Sequence, residues 1–312
     1  MKPEVPVVLV GVDGSEPSLN ALNWAAEAAR RRKAPLQVVC AYTVPRFGST
    51  SVDAAYLDVG GSALEEGAQT VVDGAVDAAK LIHPDVAGQL EVGDAAGVLV
   101  DKSKAAGMAV VGTRGKGGFA ERLLGTVSTA LPVHAHCPTV VVPVGWEPSP
   151  VRRIVVGVDG SEASTVALKH AIDAAVDWDA ELIVFSSMPM AAGTSLLAWA
   201  PGQVDHSAVL AELEAEVRRI VETELRGHSV PEGFQVRCHA LDGTASALLV
   251  EFSSAVDLIV VGSRGRGGFK GLLLGSTSQA VLHHARCPVM VVPGRLKDAG
   301  QPAGAGAANG TR

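Results

Sequence analysis

Two aspartates stand in the same short frame. Val10-Gly11-Val12-Asp13-Gly14-Ser15 returns 146 positions later as Val156-Gly157-Val158-Asp159-Gly160-Ser161. Two glycine-rich stretches form a second matched pair. One reads Gly112-x-x-Gly115, nine residues, then Gly125-Thr126; the other reads Gly262-x-x-Gly265, nine residues, then Gly275-Ser276. Glycine lets a backbone N–H come close to a ligand and take up positive φ. Consecutive N–H groups make a nest that attracts an anion. Gly125 and Gly275 then open a helix, whose start offers unpaired donors and a positive dipole end. The hydroxyls of Thr126, Ser128, Ser276 and Ser278 can add donors. This is phosphate-binding chemistry. A carboxylate in the same crevice avoids phosphates unless a cation intervenes, so Asp13 and Asp159 suit ribose hydroxyls or a share in holding Mg²⁺.

Two commoner nucleotide motifs are absent. A P-loop needs Gly-Lys-Ser/Thr, and Gly115-Lys116 is followed by Gly117. The dinucleotide fingerprint places its glycines after the first strand, whereas these follow the fourth. Other reactive side chains have plainer readings. Arg114, Lys116, Arg264 and Arg266 suit phosphates or a protein partner, but equally a solvated loop tip. His134, His136, His283 and His284 lie near a helix end and do not share a face as metal ligands would. Cys40, Cys137, Cys238 and Cys287 form no CxxC pair and read as buried thiols.

The elements that must position these groups also occur twice. His134-Ala135-His136-Cys137-Pro138 returns as His284-Ala285-Arg286-Cys287-Pro288 at an offset of 150, with the motif order unchanged. A repeat this long is a whole domain rather than a solenoid rung. The boundaries are 1–145 and 152–294, with a Pro-rich linker at 146–151 and a Gly/Ala/Pro-rich tail at 295–312 that reads as disordered. In each half, β-branched runs suited to buried strands alternate with helical periodicity. Ser15 and Ser161 are candidate N-caps, and Pro17 fits a first turn. Second helices are expected near 62–81 and 206–226, and the segments 43–61 and 187–205 read as loops beside the site. Five strands alternating with four helices predict an α/β fold, a parallel doubly wound sheet in each half. Ligands of such sheets sit at the carboxyl ends of the strands, where the order reverses.

Composition excludes several partners. Of 312 residues, 26 are Lys or Arg and 33 are Asp or Glu, a net charge of -7, and neither half is basic. A nucleic-acid or anionic-membrane surface is therefore not the main business of the chain. Aromatics at 4% leave few stacking platforms for single strands. No apolar run reaches the roughly 18–20 residues of a membrane helix. The N-terminal run meets Asp13 too early for a signal peptide, so the expected location is the cytoplasm.

Asp13 and Asp159 after strand one, Gly-x-x-Gly-x9-Gly-Ser/Thr after strand four, and a closing Cys-Pro-x-x-Val-Val strand together resemble the universal stress protein family, in its tandem-domain actinobacterial form. The resemblance covers about residues 5–143 and 152–293. It implies two Rossmann-like domains of the adenine nucleotide alpha hydrolase kind, each a five-stranded parallel sheet of order 3-2-1-4-5 flanked by four helices. It also implies two ATP molecules per chain, bound between strands one and four. By motif position, site one comprises Asp13, Ala41, Gly112, Gly115, Gly125, Thr126 and Val127. Site two comprises Asp159, Ser186, Gly262, Gly265, Gly275, Ser276 and Thr277. Asp13 and Asp159 would face ribose and Mg²⁺, and the backbone of Ala41 and Ser186 the adenine edge. The first half departs from the pattern with Ala106-Gly107-Met108 where the second has Val256-Asp257-Leu258, which bears on entry to strand four and not on the phosphate loop.

With order 3-2-1-4-5 each last strand is an apolar edge, and an open apolar edge invites pairing. The economical arrangement pairs the two last strands within one chain. Family members associate further, which implies a homodimer. The leading functional expectation is an ATP-binding stress-response regulator that works through nucleotide-dependent conformation and an unidentified protein partner. No motif-defined second acid or P-loop lysine is present, so catalysis is expected to be at most slow ATP hydrolysis. The alternatives are a nucleotidyl or phosphoryl transferase on the same layout, and a nucleotide-free interaction scaffold.

Overall fold

The computed structural model describes residues 5–43, 53–115, 124–189, 205–265, 274–294 and 296. The first half runs β1 (Val7–Gly11), α1 (Glu16–Arg32), β2 (Leu36–Tyr42), α2 (Asp53–Lys80), β3 (Val86–Val92), α3 (Ala95–Lys102), β4 (Ala106–Gly112), α4 (Thr126–His134) and β5 (Thr139–Val142). The second repeats it as β6 (Arg153–Gly157), α5 (Glu162–Trp178), β7 (Glu181–Met188), α6 (His206–Leu225), β8 (Val236–Asp242), α7 (Ala245–Phe252), β9 (Leu258–Gly262), α8 (Ser276–His284) and β10 (Val289–Val292).

All ten strands join one sheet in the order β3-β2-β1-β4-β5-β10-β9-β6-β7-β8. Each half is therefore ordered 3-2-1-4-5. Pairing is parallel within each half and antiparallel at the seam, where Val141 faces Val289 and Val140 faces Met290. The last strands thus cover one another's edge, as the edge argument requires. Strand alternation divides the core into two layers. Val8 and Val10 point to the side of α1 and α2, while Leu9 points to the side of α3 and α4. Both layers run unbroken through the seam into the second half.

Two helices reinforce the seam. Trp24 of α1 and Trp178 of α5 are buried with ring centroids 5.6 Å apart. The Arg31 guanidinium lies 5.0 Å over the Trp178 ring and donates to the Trp178 carbonyl at 2.9 Å. Arg32 pairs with Asp177 at 2.8 Å. Such packing and paired charge tie the halves together with more than a strand ladder alone.

Several expectations are corrected. Residues 53–61, read as loop, are the first turns of α2, and the Gly60-Gly61 pair does not stop the helix despite the cost of glycine inside one. Strand β7 continues through Met188, so the loop expected at 187–205 begins later, and 190–204 lie outside the described residues. The disorder expected of 295–312 also falls outside them, except for Leu296, which packs against the core and donates its N–H to Pro293 O at 3.1 Å. Asp257 has a structural task. Its Oδ2 accepts from the N–H groups of Arg152 and Arg153, both at 2.8 Å, and so fixes the start of β6. At the matching Gly107 a Cβ would stand 2.9 Å from Pro6 Cβ, so close packing occupies that place in the first half.

Candidate functional site

At the carboxyl end of β1 the chain turns through Gly14 at φ 76° into α1. Ser15 caps that helix, its Oγ accepting from Ser18 N–H. Asp13 is locked by the same turn. Its Oδ1 accepts from Ser15 N–H at 3.0 Å and Ser15 Oγ at 2.6 Å, and its own N–H donates to Ser18 Oγ at 3.3 Å. The second half is built alike. Asp159 Oδ1 accepts from Ser161 N–H at 3.0 Å and Ser161 Oγ at 2.5 Å, Asp159 N–H donates to Ser164 Oγ at 3.3 Å, and Gly160 has φ 73°. Each carboxylate is thus a turn residue and is also aimed across the crevice at the glycine loop. A Cβ at Gly115 would overlap Asp13 Oδ2, and one at Gly265 would stand 2.5 Å from Asp159 Oδ2.

The loop glycines serve close approach rather than unusual backbone angles. The expectation of positive φ at Gly112 and Gly115 is not met; beside the clefts positive φ falls at Gly14 and Gly160, in the turns after β1 and β6. A Cβ at Gly112 would lie 2.5 Å from the Pro17 carbonyl, and one at Gly262 3.1 Å from that of Ala163. Glycine there lets β4 and β9 end flush against the first turns of α1 and α5.

Gly125 and Gly275 are the N-caps of α4 and α8, with no side chain of their own. Gly125 N–H donates to Thr113 O at 2.8 Å. Ser128 and Ser278, expected to offer hydroxyls to phosphate, turn inward instead. Ser128 Oγ donates to Thr113 O at 2.7 Å, and Ser278 Oγ donates to Gly275 O at 2.9 Å. Both are buried staples that hold the loop to the helix start. The first-turn amides of Thr126 and Val127, and of Ser276 and Thr277, have no carbonyl one turn back to bond. They are the donors each cleft presents.

The first cleft has a volume of about 760 Å³, and Asp13, Ala41, Gly112, Gly115, Gly125, Thr126 and Val127 all line it. The second has about 370 Å³ and is lined by Asp159, Gly262, Gly265, Gly275, Ser276 and Thr277. Ser186 does not line it; Ser187 does. The strand register gives the reason. Gly11 pairs with Val39 and Gly157 with Phe185, so the counterpart of Ala41 is Ser187. Ser186 is buried on the opposite face of β7. Arg114 and Arg264 line the clefts, whereas Lys116 and Arg266 lie outside the described residues.

Sequence reasoning missed the apolar wall, Leu99 in the first cleft and Phe185 with Leu249 in the second. The repeat of Ala95 and Leu99 as Ala245 and Leu249 was the available signal. Burial pushes the Cys137 and Cys287 thiols up to about 12, which makes them core residues rather than nucleophiles. Among the described residues no three His, Cys, Asp or Glu side chains converge as a metal site would need, and no helix is long and apolar enough to cross a membrane.

The family model described as the universal stress protein family matches residues 5–143 and 150–293. Universal stress protein Rv2005c of Mycobacterium tuberculosis is 36% identical over 293 residues, covering 91% of this chain and 96% of that protein. Universal stress protein Rv2623 of the same organism is 33% identical over 295 residues, covering 91% and 95%. Among solved structures, a universal stress protein from Archaeoglobus fulgidus aligns with a TM-score of 0.64 at 23% identity, over 92% of this chain and 98% of that one. The last comparison speaks to the fold alone. Two matches to one family model, in series and together spanning nearly the whole chain, place this protein in the universal stress protein family as a tandem member with two copies of the domain.

Proposed function

We propose that the chain binds ATP in both clefts and acts as a stress-response regulator, its nucleotide state setting conformation and partner binding. One observation carries the reading: in each half a locked carboxylate, a glycine edge and a helix start converge on one cleft, at the carboxyl ends of β1 and β4 or of β6 and β9. Both cleft volumes fall in the roughly 300–1,000 Å³ range of small-molecule sites. The glycine edges let the strand ends and the locked carboxylates pack closely around each cleft, so that the helix start and the carboxylate face the same space.

The triphosphate would lie on the first-turn amides of α4 or α8, where unpaired N–H groups and the helix dipole favour negative charge. The ribose hydroxyls would donate to Asp13 or Asp159. The adenine edge would meet the backbone at Ala41 or Ser187, on the ends of β2 and β7. Mg²⁺ is compatible with one carboxylate per cleft, because this ion takes much of its shell from phosphates and water. We further propose that the chain works in the cytoplasm as a homodimer of tandem chains.

The test is nucleotide analysis of freshly isolated protein, followed by calorimetric titration of nucleotide-stripped protein with ATP. Substantial release of ATP on denaturation, with saturable rebinding, is the expected result. Stripped protein whose melting temperature does not move in millimolar ATP would refute the reading, because a ligand that binds only the folded state must stabilise it.

A further inference from the structure

The two clefts share a phosphate side and differ on the opposite wall. The volumes are about 760 and 370 Å³. Part of the difference is an extension of the first cleft along α4 as far as Val133 and His134. The clefts also differ at one strand position. Val39 on β2 and Phe185 on β7 hold the same register opposite Gly11 and Gly157, and both line their clefts.

Side-chain packing shows what the exchange does. In the first half Leu99 settles onto Gly11, where a Cβ would be 2.6 Å from Leu99 Cδ1. In the second the Phe185 ring takes that place, 3.6 Å from the corresponding point at Gly157, and Leu249, the counterpart of Leu99, stands off at 3.8 Å. The ring is braced edge-on by Phe252, centroids 5.6 Å apart and planes at 85°. Lys102 occupies the matching position in the first half and instead pairs with Glu91 at 2.8 Å. A ring fixed in a close-packed layer does not swing aside cheaply. The narrowed wall is the one beside β7, away from the helix start.

Resting on the ATP reading above, we infer that Phe185 is a specificity-determining residue. It makes the second cleft a poor receptacle for an adenine base and leaves its polyphosphate cradle intact. The first cleft is then the tight ATP site. The second takes ATP weakly and accepts a base-free polyphosphate about as well as the first does.

Calorimetry with ATP and with inorganic tripolyphosphate separates the two sides of each cleft. Gly115→Val and Gly265→Val, which place bulk against Asp13 and Asp159, block the first and second cleft in turn. ATP should bind at least about tenfold more tightly to the Gly265→Val protein than to the Gly115→Val protein, while tripolyphosphate affinities stay within about threefold of each other. Phe185→Leu in the Gly115→Val background should raise ATP affinity about tenfold and leave tripolyphosphate unchanged. If that double variant fails to fold by circular dichroism, Val39→Phe in the Gly265→Val background gives the reciprocal test, with ATP weakened and tripolyphosphate unchanged. Equal ATP affinity at both clefts, or a Phe185 change that moves both ligands alike, overturns this inference alone. Failure of ATP to bind either cleft overturns the proposed function, and the inference falls with it.

Discussion

Thr139→Val should make the protein more stable. Thr139 opens β5, opposite Ala109 on β4 and Val291 on β10, at the seam of the ten-stranded sheet. It is completely buried, and among the described residues its hydroxyl has no hydrogen-bond partner. The matching position in the second half is Val289, also buried. A buried hydroxyl without a partner costs roughly 1–3 kcal/mol. Valine has almost the same shape, so the change removes that cost without opening a cavity. A gain of about 1–2 kcal/mol is expected, which corresponds to about 1.5–3 °C in melting temperature for a chain of this size. The assay is urea denaturation with and without the substitution, read as a shift in midpoint at unchanged slope. Thr139→Ala supplies the contrast, because it also deletes a methyl group and should fall about 1 kcal/mol or more below the Val variant. Val289→Thr should lower stability by roughly the amount that Thr139→Val raises it. An unchanged or lower midpoint for Thr139→Val would show that the hydroxyl finds a partner in solution, and the reasoning from burial would be wrong.

Three further outcomes follow from the same structure. Gly112→Ala places a methyl group 2.5 Å from the Pro17 carbonyl, so it should destabilise the fold by about 1–3 kcal/mol and disturb the start of α1, checked by urea midpoint. Burial, aided by Arg32, lowers the His170 pKa from 6.5 to about 4, so the unfolded chain binds the extra proton first and stability falls as pH is lowered between those values. From pH 6.5 to 5 His170 should account for a loss of about 1.5 kcal/mol. Burial raises the Asp173 and Asp177 carboxyls, which opposes that loss at the acid end, and His170→Gln should flatten the profile between pH 6.5 and 5. Cys137 and Cys287, buried and shifted upward, should resist a thiol reagent at pH 8 in native protein and react within seconds in denaturant.

Much of the candidate site was legible because it is written in residue types that backbone geometry demands. Asp13-Gly14-Ser15 is a turn, a cap and a carboxylate in three letters, and its repeat at Asp159 removed chance as an explanation. Other parts were misread for identifiable reasons. The offset of 146 between the halves holds through the second strand, so Ser187 rather than Ser186 follows from it; a slip of one residue moves a side chain to the other face of a sheet. Ser128 resembles a phosphate ligand in sequence, but the inward turn of its hydroxyl depends on where Thr113 O lies, fifteen residues away. The start of α2 was hidden because residues 53–61 show only weak helical periodicity, the main signal by which a helix is read from sequence.

The sequence by itself determined the repeat, the alternation of strand and helix, the family and the motifs at the ends of the strands. Those rest on local rules: periodicity, capping and the steric freedom of glycine. The three-dimensional fold alone sets that Trp24 and Trp178 brace the seam, that the buried Thr139 hydroxyl finds no partner among the described residues, and that Phe185 lines one cleft at the position where Val39 lines the other. Each of those is a distance between residues far apart in the chain, and no local rule carries a distance of that kind.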